Sequence, residues 1–463
     1  MSSTDPHRSA PLGPGRESQE NRSLRFRPFE AAFLQDPYPT LARLREESPV
    51  AKVGISPLTA LTLVRRFAKM RRDAGEPGLT RTAWQAWRSR RRDDGASTSR
   101  EPGRPRIPRL FAVSRYENVT EVLRHPEIFS SKAMGGMEDP KAGQFHPTQG
   151  SLIGIDPPEH TDHRAIVNRG FTPRRIAAME TRVRKLADEL ISAFEPRGRC
   201  DLVEEFSNPI PVAMIAELLG LPAERRDDFK RWSAALIVGS TQIGSKINTE
   251  LFKEFREYMS EVVEQRRREP GNDLVSLLVH AEEEDGILDP VHVVGFASLM
   301  LAAGSETTTN AIGNALLALQ ANPEQDALVR EDPERHIPAL IEETLRYDPP
   351  VQMLMRLAME DSEIRGVAIP KGAMVLPLIA AANRDPDVFP DPDRFDIERN
   401  TQGHLGFGLG NHFCLGASLA RLEARVALQT IFERLPKWRI ETADVTRHGS
   451  WLIRGPTTLP LTF

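Results

Sequence analysis

The residues best able to do chemistry fall in a few short stretches, and the densest is His404-Leu-Gly-Phe-Gly-Leu-Gly-Asn-His-Phe-Cys414-Leu-Gly416. This glycine-rich loop runs into the amphipathic segment Ala417 to Leu435, so Cys414 meets a helix N-terminus. Unpaired N–H groups and the positive end of the helix dipole favour a thiolate, the form required of a metal ligand or a nucleophile. Glycines at 406, 408, 410 and 416 allow positive φ and let the chain pass close to something flat and bulky. By itself the loop leaves three readings open: a metal ligand, a nucleophile assisted by His412, and a buried structural cysteine. A dinucleotide-binding fingerprint is disfavoured, because no strand precedes the loop and a cysteine interrupts the glycine spacing.

A second stretch, Ala303-Gly304-Ser305-Glu306-Thr307-Thr308, lies inside a long apolar helical pattern. An interior glycine costs about 1 kcal/mol against alanine, and threonines bonding back to the preceding turn bend a helix. Small residues at 303 and 304 would leave room for a diatomic ligand, and an acid beside a hydroxyl can relay protons. A kinked core helix with a solvated glutamate accounts for the same residues. Glu343 and Arg346 stand three apart on a helical pattern, a pair worth about 0.2–0.5 kcal/mol when exposed.

These stretches need elements to position them. Spacing of about 3.6 residues predicts helices over Ile176 to Phe194, Val212 to Leu219, Leu251 to Arg267, Val291 to Leu319 and Ala417 to Leu435. Asp289-Pro290 opens the longest of these and Asn322-Pro323 closes it. Short apolar or β-branched runs at Leu110 to Val113, Ile364 to Ile369, Ala373 to Leu378 and Leu452 to Leu459 predict one minor sheet assembled from distant pieces. The class is therefore mainly α (α+β), with a long central helix and small β-sheets.

Of 463 residues, 40% are hydrophobic and 27% charged, which is globular material, and the net charge of −4 gives no reason to expect nucleic acid. Two cysteines, Cys200 and Cys414, exclude a disulfide framework and point to a soluble, cytoplasmic protein. Residues 1–24 have no apolar core and suggest a disordered leader rather than a signal or anchor. Charge is segregated, however. Residues 51–107 carry fourteen Lys/Arg and five Asp/Glu, a net of +9 that leaves −13 for the remainder.

The cysteine loop, read as Phe407-Gly408-x-Gly410-x-His412-x-Cys414-x-Gly416 and followed by Leu419-Ala420-Arg421, resembles the haem-binding signature of the cytochrome P450 family. Ala303 to Thr307 is similar to that family's Ala/Gly-Gly-x-Asp/Glu-Thr element, and Glu343-x-x-Arg346 to its Glu-x-x-Arg pair. Phe389 to Phe395 resembles the meander that supplies a third partner, Arg394. Asp156-Pro-Pro-Glu-His160-Thr-Asp-His163-Arg164 looks like the element whose His and Arg meet the haem propionates, and Arg356 and His404 match two further such positions.

The resemblance implies a single prism-shaped domain over residues 25–463 and a monomeric haem-thiolate monooxygenase. It implies haem b with Cys414 as axial iron ligand, a pocket built from His160, Arg164, Ala303, Gly304, Arg356, His404, Phe407, Gly408, His412 and Gly416, and proton delivery by Glu306 and Thr307. It also implies O2, a small apolar substrate, and electrons from an external ferredoxin and ferredoxin reductase, since no flavin- or nicotinamide-binding element occurs in the chain. A haem protein that senses a gas, a peroxide-driven hydroxylase and a scaffold without haem are the rivals. The first two would not need the acid–alcohol pair.

The pattern breaks at 51–107, where the family has a short hairpin. Leu61, Val64, Phe67 and Met70 among basic residues, with Trp84 and Trp87 beside Arg88 and Arg90 to Arg92, fit three readings: a peripheral membrane contact, a dock for an acidic partner, or a solvated insertion.

Overall fold

The computed structural model describes residues 25–54, 109–134, 151–241, 249–286, 288 and 290–463. Its axis is a central helix of 32 residues, Pro290–Ala321. Proline fits the first helical turn, where its missing N–H is not needed, and Asn322 closes the far end with its side-chain amide on the carbonyl of Ala318 at 2.8 Å. The helix is apolar on every face because it has neighbours on every face. Pro209–Leu218, Arg226–Thr241, Thr249–Arg268, Leu274–Asp285, Pro333–Tyr347 and Ala417–Arg434 all pack against it. Val293, Phe296, Ala297, Ile312, Leu316 and Leu319 are buried along it.

Behind the central helix, the helix Ala417–Arg434 lies against Glu180–Phe194 and Pro333–Tyr347. The run expected as one helix from Ile176 is two, Pro173–Ala178 and Glu180–Phe194, divided at Met179.

Among the described residues the strands form four small sheets, as the mainly α class with small β-sheets leads one to expect, and the distant runs do not join into a single one. β1 (Val50–Lys52), β2 (Leu110–Val113), β3 (Phe129–Ser130), β5 (Arg356–Ala358) and β8 (Met374–Pro377) form a sheet of order β1-β2-β8-β5-β3, with β2 and β8 parallel at Leu110↔Met374. β4 (Arg199–Asp201), β12 (Pro460–Thr462) and β9 (Arg439–Ile440) form a second. β6 (Ser362–Ile364) and β7 (Val367–Ile369) are a separate hairpin, turning through Arg365 and Gly366 at φ 50° and 77°. β10 (Thr446–Arg447) pairs with β11 (Pro456–Thr458), so the expected strand Leu452 to Leu459 is broken into a single bridge from Ile453 to Val351 and the short β11. Ala51 and Lys52 sit in β1 and pair with Ala112 and Phe111, so the basic block begins inside the first sheet. Its tryptophans and all of its arginines, like the leader 1–24, lie outside the described residues.

A buried charge cluster ties the helix Pro333–Tyr347 to the segment before the cysteine loop. Arg346 donates from Nε and Nη2 to the two oxygens of Glu343 at 2.7 and 2.8 Å, and both side chains are 0% exposed. Its remaining donors reach the carbonyls of Asn383, Pro392 and Arg394 at 3.1, 2.8 and 3.2 Å. The third charged member is Arg399, not Arg394. The Nε of Arg399 lies 3.5 Å from Glu343, whereas the Arg394 side chain is 65% exposed and turns to Asp396. Arg394 contributes its backbone carbonyl to the cluster and Arg399 its guanidinium. Among the described residues, no helix is long and apolar enough to cross a membrane.

Candidate functional site

The cysteine loop is held by its backbone. Cys414 N–H donates to Phe407 O at 2.9 Å and Gly408 N–H to Leu405 O at 2.8 Å, and Gly410–His412 forms a single 3-10 turn. The glycines do different jobs. Gly408 and Gly410 take positive φ, 73° and 72°. Gly406 does not; a Cβ there would lie 2.7 Å from the carbonyl oxygen of Leu345. Gly416, immediately before the helix, has nothing within 4 Å of where a Cβ would stand. Because a backbone carbonyl cannot swing aside, Gly406→Ala should cost about 1–3 kcal/mol. Thermal melting read beside haem retention checks this, and a melting midpoint equal to the parent's would contradict it.

The helix dipole does not decide the state of the thiol. Burial pushes the Cys414 pKa up, against the Gly416 N–H and the guanidiniums of Arg164 and Arg421, which pull it down. A coordinated metal cation would complete the deprotonation, since a coordinating thiol loses its proton outright. Behind the loop, Arg421 grips Glu342 through Nε at 2.6 Å and Nη2 at 2.9 Å and lies 4.4 Å over the Phe407 ring. His404 Nε2 is 2.9 Å from the same carboxylate, and its Nδ1 accepts the Gly406 N–H. Burial pushes Glu342 up, but these hydrogen bonds outweigh it and hold the carboxyl down at about 2.

In front of the loop, four cation-capable side chains converge, with the carboxylate of Asp156 near His160 and Arg356. His160 and Arg164 come from the helix Glu159–Asn168, Arg356 from β5 and His412 from the loop. The His160 and His412 rings are 4.3 Å apart, and Arg164 Nη1 donates to Asn411 O at 3.2 Å. Burial pushes His160 down to about 4. Burial, then His160, Arg356 and Arg164, push His412 down to about 3. Burial takes Arg356 down to about 10, with Asp156 opposing. The Nε2 atoms of His160 and His412 are buried with no hydrogen-bond partner among the described residues. Orphaned buried nitrogens beside the buried guanidinium of Arg356 and the half-buried one of Arg164 are what a dianionic group would satisfy, so the residues present fit a haem with two carboxylates.

On the central helix, Ala303 is exposed between the half-buried Ala302 and Gly304, so it borders open space. Gly304 does not. A Cβ there would come within 2.7 Å of Ile215, so this glycine serves close packing against the helix Pro209–Leu218 rather than room for a ligand. Thr307 Oγ1 donates to Ala303 O at 2.8 Å, and Ser305 and Thr309 bond back in the same way. Glu306, 10% exposed, has an oxygen 2.9 Å from His448 Nε2, off the hydrogen-bonding direction, and no hydrogen bond among the described residues.

The description Cytochrome P450 matches residues 197–446. The chain is 37% identical to the Vitamin D(3) 25-hydroxylase of Pseudonocardia autotrophica over 94% of this chain and 95% of that protein. The chain belongs to the cytochrome P450 family. It is also 34% identical to the cytochrome P450 monooxygenase PikC of Streptomyces venezuelae, over 93% and 91% of the two chains. A solved cytochrome P450 from Chondromyces apiculatus superposes with a TM-score of 0.76 at 37% identity, covering 95% of this chain and 98% of that one. As a bacterial-type cytochrome P450 the chain is a monooxygenase, an oxidoreductase of the haem-thiolate class with haem b and iron.

Within this P450 fold, His160, Arg164, Arg356 and His412 gather at one place, and Arg164 is close enough to act on the Cys414 thiol. His404 stands apart from them with both ring nitrogens engaged, so it braces the loop through Glu342. Two further residues escaped the sequence reading. His448 carries no local signal, and only the tertiary fold brings it to Glu306. Glu423, on the cysteine-loop helix, is buried and bonded to the Thr308 hydroxyl, and burial raises its pKa to about 8.

Glu423 makes stability pH-dependent. The unfolded chain releases this proton near 4.5, while the fold keeps it to about 8. Its contribution is therefore full below about pH 4.5 and lost as pH rises through about 8. Across that range, melting midpoints of Glu423→Gln should fall less with rising pH than those of the parent. Parallel curves would contradict the assignment.

Proposed function

We propose that this cytochrome P450 inserts one oxygen atom from O2 into an apolar small molecule, by hydroxylation or epoxidation, using electrons from an external ferredoxin and its reductase. The observation that carries the reading is the convergence of His160, Arg164, Arg356 and His412, with two orphaned imidazole nitrogens, in front of a half-buried cysteine at a helix start. Cys414 would hold the haem iron, and the four cation-capable groups would receive the propionates. Phe407, Gly408 and Gly416 would shape the loop against the ring, and Ala303 would line its other face. The bound haem supplies the O2-activating redox chemistry that no side chain of the chain can supply.

The chain's own part is positioning and proton handling. Phe407 O accepts the Cys414 N–H and so fixes where the sulfur stands. Thr307 keeps its hydroxyl on the helix through Ala303 O, and Glu306 keeps an unbonded carboxylate one residue away, an acid and an alcohol able to pass protons toward O2. His448 stands beside that acid, its Nε2 2.9 Å from a carboxylate oxygen.

For the substrate, the named relatives act on or bind large apolar molecules: vitamin D(3) in Pseudonocardia autotrophica, 6-deoxyerythronolide B in Saccharopolyspora erythraea, and testosterone in a solved P450 of Bacillus megaterium. We assign the same class here, polycyclic or macrocyclic hydrocarbon skeletons. The segments Val291 to Ala302, Val351 to Met355 and Ser450 to Ile453 are the candidate walls. Met134 to Leu152 and Ala235 to Lys246 complete the set and lie partly outside the described residues.

The test is turnover with ferredoxin, ferredoxin reductase and NADPH against a panel of steroids, macrolides, terpenoids and fatty acids under 18O2. Incorporation of one 18O atom into a product supports the reading. Turnover with peroxide but none with reduced ferredoxin would replace it with a peroxide-driven enzyme.

A further inference from the structure

His163 belongs to the same helix as His160 and Arg164 but turns away from their cluster. Its ring meets His292, near the start of the central helix, edge to face at 4.7 Å between centroids. Glu159, one turn before His163, brings a carboxylate oxygen to 3.9 Å from His292 Nε2. One ligand atom from each of Glu159, His163 and His292 lies within 4.8 Å of the other two. We propose that these three side chains bind a divalent transition-metal cation, zinc before others, at a site separate from the haem.

The chemistry and the placement both suit a cation. Two imidazoles and one carboxylate are a donor set for zinc, which takes three protein ligands and leaves a fourth position to water. Zn–N and Zn–O distances of about 2.0–2.2 Å put tetrahedral ligand atoms about 3.3 Å apart. The observed spacing of up to 4.8 Å therefore has to close by up to about 1.5 Å. Glu159 can supply most of that motion because its side chain is 54% exposed, while His292 is 20% exposed and His163 is buried. The gradient in exposure also provides an approach from solvent on the Glu159 side. Rigid placement comes from the other two members: His163 is buried and packed against Phe296, and His292 sits on the 32-residue central helix.

The consequence for the fold is a clamp. Glu159 and His163 are on the helix that carries His160 and Arg164, and His292 is on the helix that carries Ala303 to Thr307. A metal held by all three would pin the wall bearing the propionate partners to the wall bearing the proton-handling pair, tightening the pocket without touching it.

The test uses full-length holoprotein freed of metal with a chelator, titrated with Zn2+ against a chromogenic zinc indicator. Glu159→Gln, His163→Ala and His292→Ala are run beside the parent. Parent protein should bind one Zn2+ per chain, with a melting midpoint that rises on adding Zn2+. Removing only an outer-shell partner of a metal costs about 10–100-fold in affinity, so each ligand variant should bind at least about tenfold more weakly. None of the three residues is placed in the haem machinery, so haem content and the reduced carbon monoxide spectrum serve as the control for folding. Zinc binding unchanged in His292→Ala with haem content intact would overturn the site, as would parent protein that takes up no Zn2+.

Discussion

Arg346→Leu should accumulate as poorly folded protein with little haem, destabilised by about 3–5 kcal/mol. The substitution removes five hydrogen bonds from a guanidinium that is fully buried. It leaves the Glu343 carboxylate, also fully buried, with the Asp396 N–H at 2.9 Å and Arg399 at 3.5 Å. Three backbone carbonyls lose a donor as well, each a further desolvation cost. Against a total stability of about 5–15 kcal/mol, such a loss is a large share. Arg346→Lys should recover part of it, because one ammonium neutralises Glu343 but cannot fork across a carboxylate and three carbonyls at once. Denaturant unfolding and the ratio of haem to protein absorbance check this. A leucine variant as stable as the parent would show that the cluster is not what joins the meander to the helix behind the haem.

Glu306→Gln should lower product formation by about 10²-fold or more, the range a positioned proton-transfer group contributes. Substrate affinity and haem content should stay at parental values. Glutamine keeps the shape and the position beside His448 but cannot carry a proton between the same two states. Electrons should still flow, so NADPH consumption should fall less than product formation, and the coupling ratio measures the difference. Thr307→Val should do the same by a separate route, removing the hydroxyl now held on Ala303 O, while Thr307→Ser should retain most of the activity. A Glu306→Gln enzyme turning over at the parental rate and coupling would remove the acid from the proposal and leave Thr307 to be explained alone.

The central helix was legible because its ends are written in local chemistry, a proline in the first turn and Asn-Pro at the last. The cysteine loop was legible because glycines at 408 and 410 are required by positive φ. What escaped depends on neighbours remote in the chain. The sequence pointed to Arg394 as the partner of Glu343, but its side chain turns to Asp396 and it is Arg399, five residues on, that lies beside the carboxylate. Gly304 looked like room for a ligand, but the helix Pro209–Leu218 occupies that side. His404 looked like a propionate partner, yet Glu342 holds its Nε2. His448 is an unremarkable histidine until the β10 segment is laid beside Glu306.

The central claim is that Cys414 supplies the thiolate to haem iron, and the carbon monoxide difference spectrum of the reduced protein tests it most directly. Parent protein should show the strongly red-shifted Soret band of a thiolate-ligated haem, and Cys414→Ser should lose that band. A band at the position of histidine ligation, or a red-shifted band that survives in Cys414→Ser, would contradict the assignment of the ligand and the proposed reaction built on it.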